Sequence, residues 1–162
     1  MIINSIISLP GDKSISHRSI MLASIARGVS RITNLNDGED LQSTIKAMQS
    51  CGALIKQDKD LIVVTGSSLA SPKKPIDCGN SGTTSRLLTG LLSSQHLSFS
   101  LIGDESLSKR PMNRVIKPLK EMGCIIKSND GLLPLHIDAS NSFNGIDYKM
   151  PIVSAQVKSA IL

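Results

Sequence analysis

Apolar positions along this chain follow two spacings that alternate in a fixed order. After the polar start Gly11-Asp12-Lys13-Ser14 come Ile15, Ile20, Met21, Leu22 and Ile25. That spacing predicts a helix over about 14–26, closed by a cation and a glycine at Arg27-Gly28. The Ile-rich stretch 2–9 predicts a short strand ahead of it. Residues 29–35 have strand propensity, and Asn36-Asp37-Gly38 turns them. Glu39 and Asp40 put acids in the first turn of a second helix, where the helix dipole favours them. Its core stripe is Leu41, Ile45 and Met48, and Gly52 stops it. Residues 53–57 and 61–65 predict a hairpin around Asp58-Lys59-Asp60. The unit reads helix, strand, helix, strand, strand.

The same order then recurs. A polar connector, Ser67 to Pro75, is the expected mobile link. Leu87, Leu88, Leu91 and Leu92 mark a helix, and Leu97, Phe99 and Leu101 alternate with Ser98 and Ser100 as a half-buried strand does. Residues 103–109 read as a loop, and Pro111 as a first-turn proline. Met112, Val115, Ile116, Leu119 and Met122 form a helical stripe closed by Gly123, with a kink or early break expected at Pro118. Residues 124–127 and 132–137 predict a second hairpin, whose second strand Pro134 should push towards a sheet edge.

Individual residues repeat as well. Gly11 and Arg18 recur 68 positions later as Gly79 and Arg86, and Gly52, Ile55 and Lys56 recur 71 positions later as Gly123, Ile126 and Lys127. A small residue, three spacers and a base appear three times: Ser14/Arg18, Gly82/Arg86 and Ser154/Lys158. The expected architecture is therefore α/β, of the α+β type, built from repeated α-β-α-β-β units. Two units are complete, at about 13–66 and 77–138, and a third, at about 143–162, stops in mid-helix. The open apolar turn Ser159-Ala160-Ile161-Leu162 reads as the end of an N-terminal piece of a longer protein.

Composition narrows the function classes. The 162 residues are 40% hydrophobic and 19% charged, ordinary values for a soluble globular protein. A net charge of +5 favours anionic partners. With no Trp, one Tyr and two Phe there is almost no platform for stacking bases, which argues against nucleic acid. Cys51, Cys78 and Cys124 lack any metal-binding spacing and suit a reducing cytoplasm as small hydrophobes. Cys78, beside a glycine loop, is the one thiol for which reactivity is weighed. The start of the chain is too short and uncharged for a secretory signal, and no apolar run approaches the roughly 20 residues that span a bilayer. A cytoplasmic protein without membrane partners is expected.

The candidate chemistry sits at the helix starts. A helix beginning near Lys13 directs free backbone N–H groups and about half a positive charge at whatever lies ahead. Lys13, Ser14 and Arg18 add two cations and a hydroxyl at that end. This suits a phosphate or carboxylate, although a well-capped helix with solvated bases would carry the same residues.

Four stretches in order and spacing, LPGDKSISHR, GNSGTTSR, GDESLSKRPM and SAQVKSA, resemble the 5-enolpyruvylshikimate-3-phosphate synthase family over essentially the whole chain. The resemblance implies a protein more than twice this long. It would have two lobes of three units each, with residues 1–12 as a first strand and hinge belonging to the other lobe. It implies a reaction without metal or organic cofactor, in a protein that is monomeric at full length. The enolpyruvyl group of phosphoenolpyruvate passes to the 5-hydroxyl of shikimate 3-phosphate, and phosphate leaves. Matched position by position, Lys13 would be catalytic and touch both substrates. Ser14, Arg18, Ser154, Ala155 and Gln156 would join it in holding shikimate 3-phosphate. Gly82, Arg110 and Gln156 would join it in holding phosphoenolpyruvate. Asn80 and Arg86 would shape the glycine loop, and His17 would be structural. Ala155, Lys158 and His17 resemble the subgroup that often tolerates glyphosate, whereas Gly82 is the residue of sensitive members. The acid/base carboxylates of the family would lie beyond residue 162, so the chain alone should be inactive. Two other readings stay open: a non-catalytic anion-binding module, and the related UDP-N-acetylglucosamine enolpyruvyl transferase, against which the Ser14-Ile15-Ser16-His17-Arg18 continuation argues.

Overall fold

The structure, a computed structural model, describes residues 9–139 and 143–162. The strand expected at 2–9 lies outside the described residues, apart from Leu9. The first unit contains α1 (Lys13–Ile25), β1 (Gly28–Thr33), α2 (Glu39–Ser50), β2 (Leu54–Asp58) and β3 (Leu61–Gly66). The second contains β4 (Ile76–Asp77), α3 (Gly82–Ser94), β5 (Ser98–Ile102), α4 (Glu105–Ser108), α5 (Asn113–Glu121), β6 (Ile125–Asn129) and β7 (Leu132–Asp138). α6 (Ala155–Ile161) opens the third.

Each unit folds its strands into its own sheet. The first has the order β1-β3-β2, wholly antiparallel, and the second β4-β5-β7-β6, with β4 parallel to β5. In both, the last strand of the unit lies between the other two long ones. The alternation of apolar positions decides which face turns inward. Ile55, Ile62 and Val64 are buried on one sheet and Phe99, Leu101, Ile126, Leu135 and Ile137 on the other, while Val29, Leu54 and Ile125 stay exposed on the opposite faces. A continuous core of side chains joins the units, from Ile20 and Met48 in the first to Leu88, Leu119 and Leu135 in the second.

The first helices of the units pack on one another, α1 on α3 and α3 on α6. Glycine makes the second contact possible. A Cβ on Gly90, in the middle of α3, would lie 1.8 Å from the backbone oxygen of Ala160 on α6. No side chain fits there, which accounts for a glycine that otherwise weakens a helix.

Several expectations need correction. β7 is an interior strand, because Pro134 falls in a bulge: Leu132 pairs with Asn129 and Leu135 with Ser128, leaving Leu133 and Pro134 outside the ladder. A missing N–H is harmless at such a position. The loop expected at 103–109 contains the short helix α4, capped by Asp104, whose carboxylate accepts from the Leu107 N–H at 2.7 Å. Pro111 lies just ahead of α5 instead of in its first turn, since Met112 is the N-cap. Pro118 does not end α5, which runs on to Glu121. The ring is buried with Val115, Ile116 and Leu119, so packing offsets the lost hydrogen bond. The connector 67–75 is tied to both units. Ser67 N–H donates to the Ser24 carbonyl, Ala70 N–H to that of Cys51, and Ser98 N–H to Ser71 Oγ.

Candidate functional site

All three first helices begin with a side-chain cap. Asp12 Oδ1 accepts from the Ile15 N–H at 2.8 Å, Ser81 Oγ from that of Thr84 at 3.1 Å, and Ser154 Oγ from that of Val157 at 3.3 Å. The helices do not start in the same register of the repeat. The equivalent residues Ser14, Gly82 and Ser154 are the second helical residue, the first, and the cap. The small residue is repeated in sequence, but its place on the helix slides by one position each time.

The starts of four helices meet at one end of the molecule. Lys13, the first residue of α1, forms an ion pair with Asp40 in the first turn of α2. The Asp40 carbonyl accepts from Thr84 in the first turn of α3 at 3.3 Å. Gln156, the second residue of α6, donates through Nε2 to Thr83 Oγ1 at 2.9 Å and accepts from Arg86 Nη1 at 3.3 Å. Arg18 reaches across to Ser159 on α6, donating from Nη2 at 2.7 Å, and holds the Ser14 carbonyl through Nη1 at 3.0 Å.

The start of α3 gathers two guanidinium groups, with a third, Arg114, close enough to act on Arg86. Arg86 donates to the Gly82 and Pro111 carbonyls at 3.1 and 3.3 Å, and Arg110 to the carbonyl and Oδ1 of Asn80 at 3.3 and 2.5 Å. Among the described residues, every acceptor of Arg86 is neutral. Burial, and then the neighbouring Arg110 and Arg114, hold the Arg86 guanidinium below its ordinary pKa, so this charge is opposed by its surroundings. Asp104 shares Asn80 with Arg110: it accepts from Asn80 Nδ2 at 2.6 Å, and its hydrogen bonds from Leu107 and Asn80, with the charge of Arg110 adding to them, hold its carboxyl below the usual range. Lys109 turns away to Glu105 at 2.6 Å, which separates it from Arg110 although the two are adjacent. A Cβ on Gly82 would stand 2.6 Å from Arg86 Nη1 and 3.4 Å from Arg110 Nη1. The glycine therefore lets two guanidinium groups close over the start of α3. Ser81 caps only the Thr84 N–H, so the Gly82 and Thr83 N–H groups sit at the positive end of a 13-residue helix, beside two arginines. An anion is the ligand that such a place favours.

The predicted residues thus form two clusters bridged by α6: Lys13, Ser14 and Arg18 at α1, and Gly82, Arg86 and Arg110 at α3, with Gln156 at the second and Ser159 at the first. Ser154 and Ala155 begin α6 beside them. The Lys73-Lys74 doublet lies elsewhere, with Lys127 and His136 along the second sheet. Among the described residues no group of three or more His, Cys, Asp or Glu could hold a metal ion, and no helix is long and apolar enough to cross a membrane.

The model of the EPSP synthase (3-phosphoshikimate 1-carboxyvinyltransferase) family matches residues 2–162. The chain belongs to the EPSP synthase family. It is 50% identical over 159 residues to the 3-phosphoshikimate 1-carboxyvinyltransferase of Vesicomyosocius okutanii subsp. Calyptogena okutanii (strain HA) and 51% identical over 159 residues to that of Ruthia magnifica subsp. Calyptogena magnifica. Each match covers 96% of this chain and 37% of the relative. The solved EPSP synthase from Acinetobacter baumannii superposes with a TM-score of 0.91 at 42% identity, again over 96% of this chain and 37% of that one. The chain therefore spans a little over a third of the length of the EPSP synthases it matches.

One part of this site escaped the sequence reading. His17 is fully buried and its Nδ1 lies 2.7 Å from Thr44 Oγ1; Thr44 Oγ1 is 2.7 Å from Thr84 Oγ1, which is 2.7 Å from Ser81 Oγ. The four side chains tie α1, α2 and α3 together directly behind their first turns. Desolvation lowers the pKa of His17 to about 4, against an opposing pull from Asp40 and with help from Lys13 and Arg18. The imidazole is therefore neutral near pH 7. The available signal was polarity on a buried stripe: Thr44 falls in the helical row of Leu41, Ile45 and Met48. The cysteines resolve plainly. All three are buried and free, and burial, with Asp77 adding to it, pushes the Cys78 thiol up to about 12, which removes it as a nucleophile.

Proposed function

We propose that this chain supplies one lobe's share of an EPSP synthase site, and that the longer protein transfers the enolpyruvyl group of phosphoenolpyruvate to the 5-hydroxyl of shikimate 3-phosphate in the cytoplasm. Shikimate 3-phosphate is held by Lys13, Ser14, Arg18, Ser154, Ala155 and Gln156, and phosphoenolpyruvate by Lys13, Gly82, Arg110 and Gln156. Residues 1–12 act as strand and hinge to a second lobe, and residues 13–162 form part of the first. The 5-hydroxyl oxygen adds to the phosphate-bearing carbon of the enol as its own O–H bond breaks and the proton is released, while the terminal carbon gains a proton. That carbon then returns a proton as phosphate leaves, which restores the double bond on the transferred group. Lys13 steadies charge at the reacting oxygens, and the arginines at α3 hold the anion in place.

The observation that carries this reading is the start of α3, where Gly82 leaves room for Arg86 and Arg110 and, among the described residues, neither guanidinium hydrogen-bonds to a carboxylate, Asp104 acting on Arg110 only through its charge. Family membership and the shared fold support the assignment of substrates. Amide-resolved NMR titration of this chain with shikimate 3-phosphate, phosphoenolpyruvate and UDP-N-acetylglucosamine tests it. Shifts at 13–18, 82–86 and 154–156 with the first two ligands and none with the third are expected, at millimolar affinity, near −4 kcal/mol. Equal response to the nucleotide sugar, or none to either anion, would refute the assignment. In the longer protein, Lys13→Met should lower kcat/KM by about 100- to 1000-fold, on the order of 3–4 kcal/mol.

A further inference from the structure

We infer that His17 is a positioning residue for the anion site at α3, acting through a one-way chain of hydroxyl protons that runs from His17 through Thr44 and Thr84 to the helix cap Ser81. The inference rests on the functional reading above for the identity of the anion, but not for the chain itself. The polarity follows from what surrounds the imidazole. His17 Nε2 is buried and has no hydrogen-bond partner among the described residues, whereas Nδ1 faces Thr44 Oγ1 at 2.7 Å. A buried N–H without an acceptor is rarer and costlier than a buried lone pair without a donor. The proton therefore sits on Nδ1 and is donated to Thr44 Oγ1.

Every later link then has one direction. Thr44, having accepted from His17, gives its own proton to Thr84 Oγ1 at 2.7 Å. Thr84 gives its proton to Ser81 Oγ at 2.7 Å, with the Asp40 carbonyl as a second acceptor at 3.3 Å. Ser81 Oγ also accepts the Thr84 N–H at 3.1 Å, and is held as an acceptor in the geometry of an N-cap. In the opposite tautomer Thr44 would donate to His17. Thr84 would have to donate back to Thr44 and abandon both Ser81 and Asp40, and Nε2–H would be stranded. The side chains concerned, Thr44, Ser81 and Thr84, are fully buried, so water cannot repair a broken link. Ser81 immediately precedes Gly82, and Asp40 carries the partner of Lys13. Neutral His17 thus sets where the first turn of α3 stands relative to α1 and α2 without touching the anion.

Imidazole nitrogen NMR of this chain, with variants His17→Phe, Thr44→Val, their combination and His17→Asn, tests the inference. The wild type should show the Nδ1–H tautomer, and an Nε2–H tautomer would overturn the polarity whatever the variants do. His17→Phe and Thr44→Val should each move the Ser81, Gly82 and Thr83 amide resonances in the ligand-free chain and weaken phosphoenolpyruvate at α3 by about tenfold. The double variant should be no worse than either single one, and His17→Asn, which keeps a side-chain N–H donor, should recover most of the loss. Additive losses, or unmoved α3 amides in His17→Phe, would overturn it. Should phosphoenolpyruvate fail to bind even the wild type, the substrate assignment falls, while the tautomer and the ligand-free amide shifts still decide the proton chain.

Discussion

The starts of α1 and α3 are copies of one device and have opposite electrostatic outcomes. Both begin with a side-chain cap, and both carry an arginine at the matched repeat position, Arg18 and Arg86. At α1 the cap is itself a carboxylate, Asp12, and Lys13 is paired with Asp40, while Arg18 is held by the Ser14 carbonyl and the Ser159 hydroxyl. At α3 the cap is the neutral Ser81, and among the described residues Arg86 and Arg110 donate to carbonyls, side-chain amides and the Ser106 hydroxyl, with the exposed Asp104 acting on Arg110 through its charge. The first start has one of its two cations ion-paired within the chain, whereas at the second no guanidinium is ion-paired among the described residues and only the exposed Asp104 opposes Arg110. What distinguishes them is the charge of the residues that neighbouring elements bring, Asp40 from α2 and Arg110 from the turn before α5. The repeat motif does not contain either.

The comparison breaks most visibly at α3. Removing both of its guanidinium groups with Arg86→Met and Arg110→Met should abolish the response of the Gly82 and Thr83 amides to phosphoenolpyruvate. A loss of about 3 kcal/mol or more is expected, since each hydrogen bond to a charged group contributes about 1.5–3 kcal/mol. Retained affinity in an NMR titration would show that the helix dipole suffices without them.

A loss of similar size should come with acid, because one buried chain anchors both starts. His17 has a folded pKa lowered to about 4 against 6.5 in the unfolded chain, so it is the unfolded state that takes up the proton first. Its penalty is absent above pH 6.5, grows as pH falls between 6.5 and 4, and stays constant below. The total is on the order of 3 kcal/mol. Urea midpoints across that range should fall in wild type and stay flatter in His17→Asn; parallel curves would contradict the buried neutral imidazole.

Asp40→Asn sharpens the comparison by making α1 resemble α3. Freed of its carboxylate, Lys13 should bind anions more tightly by about 1 kcal/mol at low salt, and the gain should shrink as salt screens it. Titration at two ionic strengths reads this, and an unchanged affinity would mean that Asp40 does not govern Lys13. The smallest effect belongs to Gly82→Ala. Its methyl meets only the movable ends of Arg86 and Arg110, so a few-fold weakening of phosphoenolpyruvate, on the order of 0.5–1 kcal/mol, is expected with little change in thermal midpoint. A collapse in stability would place backbone rather than a guanidinium against that methyl.

Much of this organisation was legible in the sequence, for reasons that are physical. Hydrophobic periodicity located the long helices and both hairpins, because Leu41, Ile45 and Met48, or Leu97, Phe99 and Leu101, must face one core. Propensity misled where tertiary context outweighed it. Pro118 is carried inside α5 by the packing of its ring, and Pro134 is kept off an edge by a bulge that hides its missing N–H. The motif residues were legible one at a time, but which of them would stay charged in isolation was not. That depends on partners such as Asp40 and Asn80, which reach the site from other elements. The buried hydroxyls were the least visible: Ser81 and Thr84 look like ordinary helix-start residues, and only Thr44, on the core stripe of α2, carries a signal in the sequence.

The central claim is that α3, not α1, is the start left uncompensated for an anion. Titrating the chain with inorganic phosphate and following backbone amides tests it without any assumption about the organic part of a substrate. The Gly82 and Thr83 amides should shift first and furthest, with Lys13 and Ser14 responding only at several-fold higher concentration. Saturation of the α1 amides before those of α3 would contradict the account.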